Sequence, residues 1–493
     1  MRKVYLFFAL AIPIIVSAQL IKGTSTGHVT AYGLKISRTE TDYRFSFVVN
    51  EAVLEAVIVL YNGDMQVTTL PVAVVKGSNT VVIPIADIPE EATNWGLHLV
   101  GAPIPSMSLV VDYVDTDLKE PYVVTNNYPM TDQFAQYYVM ESEGNKKGLY
   151  IYNPDMKLLN VTPYVPADTA WNMPNRMAVA SDGTLFMSEF SNDHSGIYVM
   201  DPAQPRNITQ FFTGSRNDKG VISNGGINIG SPTSGISIYK EGAESKMIVY
   251  NKEFGSSLGN ILIYNIGQED GSIVKSWGVA PSEVYGKEKN LAGLVIKTGQ
   301  PILTDYGFFC STRRFSGGNN GYTTSIRYYN FKEECEFSTH EEKYLKYVNG
   351  SNDGAMALSA DQKYLVLPDD NNQFVVFECA WDSAGKLSVN YVQSFKHNLG
   401  AIYQLSFDYA GHLVASAAGH IALYTMPTDD NSLVIPAKTP LAEAPTYNPT
   451  AVEHMTTKDA LDSDAPMYNV LGHPVNNNYR GVVIQNGSRY LLH

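Results

Sequence analysis

Side chains able to hold a ligand recur in clusters through the middle of the chain. They are Trp171, Asn172, Asn175 and Arg176, then Glu189, Asn192, Asp193 and His194, then Asn251 and Glu253. Further on come Asp305, Arg313 and Arg314, ahead of a glycine-rich run at 317–321, and last Asp353, Asp369, Asp370, His397 and Asn398. The set combines both charges, amides and an indole, which suits stacking on a sugar ring and hydrogen-bonding its hydroxyls, or holding an extended peptide. Singly, each is an ordinary solvated loop residue, so its chemistry depends on being brought together with the others. No local motif does that: G-x-S-x-G, H-E-x-x-H, the P-loop, the dinucleotide glycine fingerprint and the EF-hand loop are all absent from the sequence. A site must be assembled from residues far apart in the chain.

An internal repeat supplies the means. Six segments read as an apolar strand ending in an aromatic residue or Met, followed mostly by Asn or Asp: 149–153 (LYIYN), 197–201 (IYVMD), 262–265 (LIYN), 327–330 (RYYN), 375–378 (VVFE) and 422–425 (ALYT). The aligned positions 152, 200, 264, 329, 377 and 424 are separated by 48, 64, 65, 48 and 47 residues, the spacing of four-stranded units of which two are enlarged by insertion. Upstream of three of these lies a strand pair around a tight turn: 177–187 through Ser181-Asp182-Gly183, 356–367 through Ala360-Asp361-Gln362, and 404–415 through 408–411. Asp and Gly give such a turn its local hydrogen bond and its positive φ. The third and fourth repeats carry the same pair at 235–250 and 293–306. Four strands in each of six repeats predict a six-bladed β-propeller over residues 118–437, with weak patterning at 118–147 leaving room for a seventh blade.

The repeat resembles the broad propeller superfamily that includes the gluconolactonase-like, NHL-repeat and quinoprotein-like families. The shared S-D-G-x-L turn implies their fold, not an activity. In such a fold the loops from the last strand of one blade to the first of the next, and from second to third strand, open on one face. We expect the ligand-binding residues there to be Trp171, Arg176, Glu189, His194, Asp305, Arg313, Asp369 and His397, while the opposite face carries short turns. Two functions follow. The first, preferred because no catalytic motif is present, is a non-enzymatic secreted or cell-surface protein binding glycan or peptide, with no cofactor. The second, implied by the gluconolactonase-like resemblance, is a metal-dependent hydrolase or lactonase. A divalent cation such as calcium would then sit over the channel on Glu189, Asn251, Asp305 and Asp353, since hard cations take oxygen ligands.

Residues 19–117 read as period-two strands, such as 43–49 (YRFSFVV) and 56–60 (AVIVL), the latter followed by an Asn62-Gly63-Asp64 turn. They predict an immunoglobulin-like β-sandwich, and resemble the immunoglobulin-like modules that precede other domains in exported bacterial proteins. Residues 438–466, rich in Pro, Ala, Thr and Asp, read as a linker. Residues 467–493 form a short β tail whose Y-N-x-L-G-x-x-V and R-G-V-V-I-x-N-G-x-x-Y patterns resemble the C-terminal sorting domain of type IX secretion, without its basic end. That resemblance implies contact with the secretion machinery. The whole is all-β.

At the start, Arg2 and Lys3 precede an uncharged apolar run at 4–16 and a small-residue site at 16–18, the pattern of a signal peptide over 1–18 leaving Gln19 first. Its loss takes the net charge from -14 to -16 and makes nucleic acid and anionic lipid poor partners. No later run is long enough for a transmembrane helix. The expected location is outside the cytoplasm: extracellular or on the outer cell surface, otherwise periplasmic. Cys310, Cys335 and Cys379 allow at most one disulfide, and apolar alternation predicts Cys335 and Cys379 to be buried.

Overall fold

The computed structural model describes residues 21–22, 27–143, 147–163, 174–189, 196–205, 207–213, 222–224, 227–229, 233–252, 259–275, 281–285, 295–296, 299–315, 322–347, 354–447, 467–469, 474–475, 481–485 and 488–492. The expected leader at 1–18 lies outside them. None of the described helices is long and apolar enough to cross a membrane.

Two sheets near the start pack face to face. One holds strands Ala31–Arg38, Asp42–Val49 and Gly77–Pro84; the other holds Met65–Pro71, Glu55–Asn62, Asn94–Val100 and Ser432–Pro436, paired in that order. In Asp42–Val49 every second residue is buried, so Tyr43, Phe45, Phe47 and Val49 enter the core while Arg44 and Ser46 face outward. Phe45 meets Trp95 edge-on with ring centroids 4.8 Å apart. The Asn62–Met65 hairpin closes with Gly63 at φ 57°, a conformation glycine adopts without strain.

The last strand of this sandwich comes from beyond the ring, which moves two expected boundaries. Residues 432–447, expected as the end of the propeller and the start of a linker, belong to the sandwich. Ala437 N donates to Trp95 O at 3.0 Å, Trp95 Nε1 to Thr439 O at 3.0 Å, and Arg38 N to Pro445 O at 2.9 Å. Ile435, Ala437, Leu441 and Ala444 are buried in the sandwich core. Spaced among Pro and Thr, these apolar residues show no period in sequence. The remainder of the expected linker, 448–466, lies outside the described residues.

Between these stretches the described residues make six antiparallel sheets of four or more strands. The first comprises Pro121–Thr125, Tyr137–Glu141, Gly148–Tyr152 and Leu158–Pro163; the second Pro174–Val179, Leu185–Glu189, Gly196–Met200 and Ile208–Thr213. The third comprises Thr233–Tyr239, Lys246–Lys252, Gly259–Asn265 and Glu283–Tyr285. In the fourth, Val295–Ile296 and Ile302–Leu303 both pair Gly307–Phe315, followed by Tyr322–Asn330 and Cys335–Ser338. The fifth comprises Ala357–Leu358, Tyr364–Pro368, Gln373–Trp381 and Leu387–Lys396. The sixth has Ile402–Phe407, Leu413–Ala417 and His420–Tyr424, takes its fourth strand, Leu109–Val114, from ahead of the first sheet, and is edged by the short Ile21–Lys22. A hairpin of Ile222–Asn224 and Ile227–Ile229 sits in the long interval before the third sheet.

Each sheet packs on the next through its own apolar cluster. Tyr138 and Met140 meet Met177 and Met187; Phe186 and Val199 meet Ile236 and Val249; Ile248 and Tyr250 meet Phe308 and Cys310. Phe309 and Phe337 meet Leu365 and Phe377, and Val366 and Phe374 meet Leu405 and Leu413. Finally Tyr113, Val414 and Ile421 meet Val123, Val139 and Tyr152, so the sixth sheet returns to the first and the ring is closed. It is a β-propeller. Strands such as Leu185–Glu189 and Gly196–Met200 are buried at every position because both faces are covered, whereas the outer Leu387–Lys396 alternates buried and exposed. The ring thus runs from 109 to 424 and not from 118 to 437, because its closing strand is contributed across 300 residues and has no local mark.

None of the three cysteines is disulfide-bonded; Cys310 and Cys379 are buried, while Cys335, expected inside, opens an outer strand and is exposed. Met467–Asn469, Pro474–Val475, Gly481–Gln485 and Ser488–Leu492 form a separate four-stranded sheet in the tail.

Candidate functional site

The innermost strands of the six sheets line the channel, starting at one face and ending at the other. Their first residues, the ends of the second strands and the loops between sheets form the loop face. The turns between first and second strands form the turn face. The chemistry of each candidate depends on which face its strand position gives it.

At the loop face, Arg176 lies in the innermost strand of the second sheet, opposite Ser188, and is only 2% exposed. Its guanidinium carbon stands 4.5 Å from the Tyr122 ring centroid, and Tyr122 meets Tyr403 edge-on with centroids 5.9 Å apart. Three adjacent innermost strands thus bring a cation onto an aromatic pair, where the negative face of the phenol ring compensates lost hydration. Glu189 ends the second strand of the same sheet, opposite Pro174, and is also buried. Deeper in the channel, Gln404 Nε2 donates to Gln300 Oε1 at 3.4 Å, a contact from the sixth sheet to the fourth.

Asp369 and His397 share the loop face but serve the local turns. Asp369 Oδ1 accepts Asn371 N and Gln373 N, each at 2.9 Å, and its Oδ2 accepts Asn371 Nδ2 at 3.2 Å, so this buried carboxylate braces its own hairpin. His397 stacks on Phe374 with centroids 4.3 Å apart, and its Nδ1 accepts Leu399 N at 3.3 Å. Burial pushes its pKa down to about 4 and keeps the ring neutral. Arg313 has its backbone in Gly307–Phe315, opposite Thr324 and Val295; its side chain, like Trp171 and His194, lies outside the described residues.

Asp305 is a correction. It sits between Ile302–Leu303 and Gly307–Phe315, the first and second strands of the fourth sheet, and so on the turn face. The sequence pairing at 293–306 took the divided first strand for a complete strand pair, which displaced the fourth repeat by one strand. Glu189 and Asp305 therefore lie at opposite ends of the channel and cannot share one cation; Asp353 and the side chain of Asn251 lie outside the described residues. Among the described residues no three His, Cys, Asp or Glu side chains gather as a metal site.

Sequence reading also left out what the turn face holds. A cavity of about 610 Å³ opens there, lined by residues of all six sheets, among them Tyr128, Met177, Tyr239, Leu303, Gln362 and Tyr409. A second cavity, about 670 Å³, lies between sandwich and ring, where Tyr32 donates its hydroxyl hydrogen to Asp155 Oδ1 at 2.5 Å. Only the Asp-Gly turn signature marked this face in the sequence, and it speaks of backbone, not of side chains.

No family model and no curated protein matches the chain in sequence. Solved structures similar to it include a protein of unknown function from Bacteroides thetaiotaomicron, with TM-score 0.39 and 10% identity over 82% of this chain and 99% of that one. A gluconolactonase from Xanthomonas campestris has TM-score 0.37 and 10% identity over 67% of this chain and 90% of that one. A streptogramin B lyase has TM-score 0.37 and 10% identity over 65% of this chain and 97% of that one. At these scores the likenesses say nothing about activity, and the fold stands on the pairing and packing of the sheets themselves.

Proposed function

We propose that the protein is a binding protein, exported to the cell surface or beyond, whose propeller holds a glycan or peptide at the loop face. The observation that carries this reading is the Arg176–Tyr122–Tyr403 group: a buried guanidinium on an aromatic pair where three innermost strands begin. Such a group sets a positive charge beside a flat apolar surface, which fits a sugar ring or a planar peptide unit. Glu189 ends a second strand at the same face, and the reading adds Trp171, His194 and Arg313 to it. The immunoglobulin-like module is the presenting stalk, and the leader and tail serve export. The hydrolase reading loses its four-residue cation set, because Asp305 belongs to the other face.

Glycan and peptide arrays probed with the mature protein test the reading. Trp171→Ala and Arg313→Ala should each weaken a selected ligand about tenfold, the loss of one good buried contact, while leaving the melting temperature within a few degrees. Binding that survives both changes together rejects the loop-face assignment.

A further inference from the structure

Three turn-face residues, Ala135, Lys240 and Gln362, hold backbone conformations that glycine would suit better. Lys240 and Gln362 have φ of 63° and 59°. At the place Gln362 takes in its turn, the second and sixth sheets have Gly183 at φ 86° and Gly411 at φ 94°. A side chain in this left-handed region is disfavoured, and where such strain persists it marks a position held for another purpose.

The Lys240 and Gln362 side chains reach one place. Gln362 Nε2 donates to the Tyr239 hydroxyl at 3.3 Å, that hydroxyl is hydrogen-bonded to the Asp305 carboxylate, and Lys240 Nζ stands 3.3 Å from Asp305 Oδ1. The third, fourth and fifth sheets thus converge on a phenol, an ammonium, an amide and a carboxylate. The Tyr239 hydrogen bond, then Lys240, holds the Asp305 carboxyl below its ordinary pKa, so it is an acceptor at neutral pH. Tyr239, Lys240 and Gln362 also line the 610 Å³ cavity, whose wall otherwise mixes apolar groups such as Met177 and Leu303 with polar ones such as Ser237, Glu241, Gln300 and Asp408.

We propose that this mouth of the channel binds a neutral saccharide unit, its ring against Tyr239 and adjacent hydroxyls on Asp305, Lys240 and Gln362. Donors and an acceptor lie side by side, and a hydroxyl, being both, satisfies each in turn. Lys240 is shared between Asp305 and Glu244, the latter at 3.2 Å, so its charge is already met and an anion finds no unopposed cation there. The aromatic wall and the cavity volume match a sugar ring. This site stands apart from the loop-face reading and does not depend on it.

The test uses the mature full-length protein and the methyl glycosides of glucose, galactose, mannose and N-acetylglucosamine, followed by saturation-transfer NMR and titration. At least one glycoside should bind; Asp305→Asn should weaken it about tenfold, the worth of a charged hydrogen bond. Gln362→Gly should weaken it about threefold while melting at or above the wild-type temperature, because glycine relieves the left-handed backbone. The proposal is overturned if none of the four binds, if both variants bind as the wild type does, or if Gln362→Gly melts lower. It is also overturned if binding is lost in Arg313→Ala and kept in Asp305→Asn, since the sugar then occupies the opposite mouth.

Discussion

The backbone N–H of His28 donates to Nε2 of His412 at 2.9 Å, across 384 positions of sequence, and ties the start of the sandwich to the sixth sheet of the ring. His412 Nδ1 faces Asp408 Oδ2 at 2.8 Å, and His28 Nε2 accepts Met426 N at 2.9 Å. Each imidazole must therefore keep one nitrogen unprotonated for the joint to hold.

Acid should loosen this joint. Burial first, then His412, lowers the His28 pKa from 6.5 to about 4, with Asp408 opposing; burial lowers His397 likewise to about 4. Between those values the unfolded chain binds protons that the folded chain refuses, so stability is full above pH 6.5 and falls as pH drops towards 4. The loss is of order 3 kcal/mol per histidine at most. Denaturation midpoints from pH 7 to 4 check it, and His28→Ala should flatten part of the slope. A midpoint constant down to pH 4.5 contradicts the expectation.

Ring closure depends on Leu109–Val114. A chain beginning at 118 lacks that strand, leaves one edge of His420–Tyr424 without its partner and removes Tyr113 from the cluster it shares with Val414 and Ile421. It should unfold at lower urea or aggregate, and Tyr113→Ala in the full chain should cost about 3–5 kcal/mol, as for other buried aromatics. A 118–437 fragment as stable as the full chain would show that closure does not need this strand.

The sandwich should need residues 432–447. Ending the chain at 431 removes Ile435, Ala437, Leu441 and Ala444 from the core and exposes Trp95, which is 1% exposed in the intact fold. Indole emission should shift to longer wavelength, and Trp95→Ala in the intact chain should cost about 3–5 kcal/mol. Unchanged emission after truncation argues that the segment is dispensable.

Sequence made the architecture legible where structure is local. The period-two run 43–49, the Asp182-Gly183 turn and the aromatic repeat at 152, 200, 264, 329, 377 and 424 each report a strand or turn built from neighbours. It did not show Leu109–Val114 in the last sheet or Ser432–Pro436 in the first domain, because a strand's distant partner leaves no mark on its own residues. Arg176 and Glu189 fall at the loop face, as expected from sequence, because they sit beside regular strand ends. Asp305 was sent to the wrong face because Val295–Ile296 and Ile302–Leu303 divide one inner strand in two. Asp369 and His397 were read as ligand groups, yet their turns already use them. Tyr239 and Gln362 were passed over because strain and convergence exist only in three dimensions.

The most direct measurement is hydrogen–deuterium exchange of the mature protein with and without the tightest ligand found on the arrays. Loop-face binding predicts slowed exchange in peptides covering 171–176, 189–196 and 313–321, with the sandwich unchanged. Slowing confined to the sandwich, or to the turns at 181–184 and 408–412, would contradict it.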